Sequence, residues 1–191
     1  MTATGAVEGF WDFSVRTYCT NGVPDACLSL QNEHGADVNM LLYCCWVGAY
    51  LGKFETEHFD EAIGFAGRWA DKVVIPLRSA RTWMKLTGCT EDSVPTDDCM
   101  RLRDTIKSVE FASEKLQQQV LESLVSVDKP RGDAPGQVVD DVVANLLKYA
   151  GHSGIDISDD VRQKLIIIVT AAFPNRAART IETALSDNPS R

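Results

Sequence analysis

The chain has 191 residues and a mass of 21.0 kDa, with 45% hydrophobic residues, 24% charged residues, 13 Gly and 7 Pro. That is enough for one domain with its own core, or one domain and a small appendage, and it excludes collagen-like, low-complexity and disordered chains. Nineteen Lys and Arg stand against 27 Asp and Glu, and the net charge of −8, with no basic third of the chain, disfavours nucleic acid and anionic lipid as partners.

No Lys or Arg precedes Phe10 and Trp11, so a signal peptide is not expected, and the longest uncharged apolar run, Met40 to Gly52, falls short of a membrane span. These features predict a cytoplasmic protein without membrane contact. In a reducing compartment the six cysteines, at 19, 27, 44, 45, 89 and 99, are free thiols by default. Cys27, Cys44 and Cys45 sit in apolar helical patterns and read as core residues, whereas Cys89 and Cys99 flank a loop and could meet on oxidation.

Helical periodicity runs through nearly the whole chain, and the expected class is all-α: a multi-helix bundle around a buried central helix, with a small C-terminal helical unit. A first helix is expected from Val7 to Cys19, ending at Asn21-Gly22, and a second from Pro24 to Gly35. Asp37 should cap the third, through Gly52, whose residues from Met40 on are apolar on every face and so mark the central helix. From Thr56 to Leu86 a stripe of Phe59, Ile63, Ala66, Ala70, Val73, Leu77, Ala80 and Met84 predicts one helix or a helix pair, kinked between Lys72 and Pro76.

Thr96 should cap a long helix to Val127, with Cys99, Leu102, Ile106, Val109, Leu116, Val120 and Leu124 as a near-heptad seam turned into the bundle. The prolines and glycines of 129–136 read as a linker between a bundle domain, 1–128, and a docked subdomain, 137–191. In the latter, helices are expected at Gln137 to Ala150, Asp159 to Phe173 and Arg176 to Leu185.

The chemistry-bearing patterns are sparse. Asp97-Asp98, Asp140-Asp141 and Asp159-Asp160 do not complete a diphosphate-binding motif, since Arg101 and Gln163 stand where the first and last pairs would need a further carboxylate; each pair reads as a helix start. Glu55 and His58 have the Glu-x-x-His spacing of di-iron bundles, but no second such motif exists, so no metal or other cofactor is expected. Arg78, Arg81 and Lys85 share one helix face, and Glu110 with Glu114 form an acidic face on the long helix. Ion pairing between the two stripes is the first expectation, and a cleft for an anionic ligand or acidic partner is the alternative.

Trp11-Asp-Phe-Ser, Tyr18, Gly22-Val23, Ala26-Cys27-Leu28, Leu30-Gln31, Gly35, Asp37-Val38-Asn39, Leu41-Leu42 and Trp46, followed by Pro76-Leu77-Arg78, Arg81 and Lys85, resemble an uncharacterised bacterial family of conserved hypothetical proteins, a domain of unknown function. The resemblance spans about residues 10 to 125. It implies a bacterial cytoplasmic protein and assigns no catalytic residue.

The expected function is a non-catalytic helical module that binds another protein in a regulatory or assembly role, with a homodimer as one form this could take. The alternative is a small-ligand binder or enzyme, with Arg16, Gln31, Asp37, Asn39, Arg78, Arg81, Lys85, Glu110 and Glu114 as the polar residues that would converge. The two differ in one respect: a ligand site needs Arg78 and Arg81 to have charge to spare, and a structural role needs them paired with Glu110 and Glu114.

Overall fold

A computed structural model describes residues 7–90, 95–125 and 137–174, together with Thr183. The protein is an all-α bundle, with no strand among the described residues. Its helices are α1 (Phe10–Tyr18), α2 (Val23–His34), α3 (Val38–Tyr50), α4 (Thr56–Trp69), α5 (Ile75–Leu86), α6 (Thr96–Ser123), α7 (Gln137–His152) and α8 (Asp159–Ala172). The expected linker at 129–136 and all but Thr183 of the helix expected at Arg176 to Leu185 lie outside the described residues.

The chain turns where its small residues stand. Gly22 (φ 85°) and Gly35 (φ 69°) occupy the left-handed region, and after α2 the Gly35 and Ala36 amides donate back to the carbonyls of Gln31 and Leu30, which closes the helix. Asp37 then caps α3, its Oδ1 accepting from the amides of Asn39 at 2.8 Å and Met40 at 3.3 Å. The first turn of α1 is satisfied from a distance instead: the Phe10 amide donates to Glu122 of α6 at 3.1 Å.

Every residue of α3 from Asn39 to Gly48 is buried, so this is the central helix. Tyr43 and Trp46 stack at a centroid distance of 5.9 Å, with Phe10 packed against both. α7 lies along α3, and α8 packs on α2 and α1. Val139, Val142, Leu146, Leu165, Ile168 and Val169 share one core with α2 and α3. Asn145 of α7 fastens the end of α3, accepting from the Phe54 amide at 2.9 Å and donating to the Gly52 carbonyl at 3.0 Å.

The kink ahead of Pro76 is a π turn over Ala70–Val74. The wider turn accommodates a proline that lacks the amide hydrogen an α-helix would use, so α4 leads into α5 without a loop. It also rotates the stripe beyond it, burying Val74 while Val73 and Leu77 are half-buried and Ala80 is exposed.

Four expectations need correction. α6 is capped at Pro95, and Thr96 is its first residue, with no side-chain cap bond. Asp141 opens α7 but turns inward, buried and bonded to the Gln137 amide nitrogen at 3.1 Å. Cys89 and Cys99 form a disulfide, whereas Cys19, Cys27, Cys44 and Cys45 are free. The α5–α6 hairpin brings the bonded pair together beside Met84 and Ile106, in a small cluster separate from the main core.

The largest correction concerns which face of α6 points inward. Its buried residues are Cys99, Glu110, Ser113, Gln117, Gln118 and Leu121. Of the seam expected to be inside, Cys99 is buried and Ile106, Val120 and Leu124 are half-buried, but Leu102 is 55% exposed, Val109 49% and Leu116 45%. A polar face is inside because α3 and α5 present polar partners to it.

Candidate functional site

The polar residues singled out in the sequence meet along the inner face of α6. From α5, Arg78 donates to Glu110 at 2.9 Å and to Glu114 at 2.8 Å. Arg81, one turn on, grips both oxygens of Glu110, at 2.5 and 3.2 Å. Glu110 is buried, and the arginine side chains are 29% and 24% exposed, so these pairs are shielded from water on most sides.

The N-terminus of α3 extends the same network. Gln117 donates to Asp37 Oδ2 at 2.7 Å and accepts from Asn39 Nδ2 at 2.7 Å, while Gln118 donates to Asn39 Oδ1 at 2.7 Å. Asn39 also donates to the Glu114 carbonyl at 3.2 Å. From α7 the Tyr149 hydroxyl accepts the Asp37 amide at 2.7 Å. Thus one network ties α3, α5, α6 and α7 by hydrogen bonds that only these partners complete.

α1 runs antiparallel beside α6, with Phe10 against Glu122 and Trp11 against Phe111 and Lys115. Ser14 of α1 and Gln118 of α6 each keep a buried oxygen without a hydrogen-bond partner, Ser14 Oγ and Gln118 Oε1.

The electrostatics divide the acids. Burial works to raise the Glu110 pKa, but bonds from Arg81 and Arg78 outweigh it and hold the carboxyl below its ordinary value. For Glu114 burial wins, against the attraction of Arg78 and with Glu110 and Asp37 adding repulsion, so its pKa is raised. Asp37 is likewise raised by burial, which its bonds from Gln117, Met40 and Asn39 only partly offset.

A raised folded-state pKa means that the folded chain takes up the proton more readily than the unfolded one. The contribution of Glu114 is therefore most favourable at low pH and is lost as pH rises through its folded pKa. Urea midpoints of wild type and Glu114→Gln, compared as the pH falls from neutrality towards 4.5, the ordinary Glu value, should show the wild type gaining on the variant. Parallel curves would contradict the assignment.

Other candidates lie elsewhere. Lys85 is exposed, and none of the network's bonds reaches it. Arg16 pairs with Glu8 at 2.9 Å and donates to the Ala172 carbonyl at 3.3 Å, which fastens α1 to the end of α8. Gln31 is half-buried on α2. Glu55 is exposed, and its spacing partner His58 lies 2.7 Å from the Tyr43 hydroxyl, which itself donates to the Leu121 carbonyl. Burial lowers the His58 pKa, so this ring is a neutral hydrogen-bonding partner at the edge of the core. Glu33, His34 and Asp160 approach one another where α2 meets α8, but the cluster is largely exposed and Asp160 also pairs with Lys164.

Sequence reasoning missed Gln117, Gln118 and Tyr149. The signal for the glutamines was Asn39, a polar side chain opening an otherwise apolar helix and therefore in need of buried partners.

A family model matches residues 9–121, which contain α1 to α5 and nearly all of α6. The chain belongs to the family described as "Protein of unknown function (DUF2390)". Every member of the polar network except Tyr149 falls within the DUF2390 match, and α7 and α8 lie beyond it. No curated protein and no solved structure matches the chain.

Proposed function

We propose that this DUF2390 protein is a non-catalytic helical module of the bacterial cytoplasm that binds another protein, in a regulatory or assembly role, through the outward face of α6. The observation that carries the reading is the inversion of that helix: polar side chains are spent inside, and Leu102, Val109 and Leu116 remain exposed at 55%, 49% and 45%. A helix that leaves a regularly spaced apolar face in solvent has the form used to dock a second helix. For the cytoplasm, the support is the four free cysteines, against which stands the Cys89–Cys99 disulfide.

The ligand reading finds less support, because Arg78 and Arg81 are answered by Glu110 and Glu114. A photo-cross-linking amino acid at Val109, introduced in cells that make the protein, tests the proposal. A covalent protein adduct is expected there and not from Gln163, an exposed position on α8. No adduct at Val109, or equal adducts at both positions, would overturn it.

A further inference from the structure

We infer that Cys89–Cys99 is a redox-sensitive latch, which holds the tip of the α5–α6 hairpin closed as a disulfide and releases it as a dithiol. The inference concerns the end of α6 where the proposed docking face begins, and it stands whether or not that face binds a partner.

The hairpin is held by successive rungs, of which the last is the disulfide. Arg78 reaches Glu114, and Arg81, one turn nearer the tip, grips Glu110. Beyond them comes the small cluster of Met84, Cys89, Cys99 and Ile106, separate from the main core. Trp83, Leu86, Met100 and Leu102 stand on the same stretch and are exposed. The ion pairs Asp98–Arg101 and Arg103–Asp104 lie within α6 and join nothing across the hairpin. A satellite of four apolar side chains is too small to fold by itself. The tip therefore depends on the bond, which joins residues ten apart in sequence and removes the chain entropy that opening would gain.

Redox chemistry is directed to this pair. Cys27, Cys44 and Cys45 are free thiols in the main core, and burial raises the pKa of each, which withholds the thiolate that exchange requires. Cys89 and Cys99 lie instead where a local opening, with the main core still folded, brings both sulfurs to water. The thiolate of a dithiol reductant then attacks one sulfur, the S–S bond breaks and a mixed disulfide forms, from which the reductant's second thiol displaces the protein. Two electrons and two protons pass to Cys89 and Cys99, and the reductant leaves as its own disulfide. The oxidised reagent reverses each step. With the bond open, α6 keeps its tie to α5 only as far as Glu110 and Arg81. Leu102 lies on the released stretch and Leu116 on the retained one, so under the proposed docking role the latch sets where the ordered face begins.

Amide exchange of the full chain tests the latch, in a Cys19→Ser background that removes the exposed free thiol. The oxidised protein is compared with the same protein in excess dithiothreitol. Exchange in 84–90 and 96–106 should quicken by about ten- to a hundredfold, as for release of a short loop, while α3 and α7 keep their protection. Oxidised dithiothreitol should restore the slow pattern. Cys89→Ser/Cys99→Ser should show the fast pattern in both conditions.

Equal exchange in the two redox states overturns the latch. So does faster exchange spread over α3 and α7, which would make the bond a staple of the whole fold. A bond that withstands dithiothreitol until urea unfolds the chain overturns it as well, because the tip then does not open by itself.

Discussion

Gly48→Ala should destabilise the protein by about 3 kcal/mol, the high end for forcing extra atoms into a close-packed contact. A Cβ at this position would lie 2.5 Å from Val142 Cγ2, 2.7 Å from Val142 Cα and 2.8 Å from Val142 N. The last two are backbone atoms of α7 and cannot rotate aside, so α7 has to move off α3. Gly48→Ala/Val142→Ala should therefore recover little, because it removes the methyl contact and leaves the backbone ones. Urea unfolding gives the loss, and amide exchange should locate it, with α7 protection falling more than that of α4. A variant as stable as wild type would mean that α3 and α7 do not approach as closely as described.

Arg78→Ala should cost about as much, roughly 3 kcal/mol, for a different reason. Among the described residues Arg78 is the one side chain that bridges Glu110 and Glu114, and these two lie one helical turn apart with Asp37 nearby. Its removal leaves Glu114 without a cation and Glu110 held by Arg81 alone, in surroundings where both are poorly hydrated. The loss is the cost of uncompensated carboxylates, so Arg78→Ala/Glu114→Gln should recover part of it. Arg78→Lys should recover less, because one ammonium does not reproduce the two separate bonds that the guanidinium makes.

Much of the architecture was legible because it follows from local rules. Asp37 before an apolar run predicts a capped helix, residues apolar on every face predict that it is central, and Pro76 inside a helical stripe predicts a bend. Only the form of the bend, a π turn, needed the structure.

The orientation of α6 was not legible. The rule that apolar residues point inward favoured Leu102, Val109 and Leu116, and it failed because Glu110, Gln117 and Gln118 have buried partners on other helices. Those partners stand up to 80 residues away in sequence, a separation that helical periodicity does not see. The candidate site was legible in the same degree: the facing stripes of Arg78 and Arg81 and of Glu110 and Glu114 were visible as complementary, while Tyr149 became a member only once α7 was placed along α3.

The inversion of α6 underlies both the internal network and the outward seam, and a double-mutant cycle between Arg78 and Glu114 tests it most directly. Stabilities of wild type, Arg78→Ala, Glu114→Gln and the double variant at neutral pH should give a coupling energy of about 1 to 2 kcal/mol, as for charged groups in direct and partly buried contact. A coupling near zero would place Glu114 in solvent, turn the leucine seam inward, and remove the surface on which the proposed function depends.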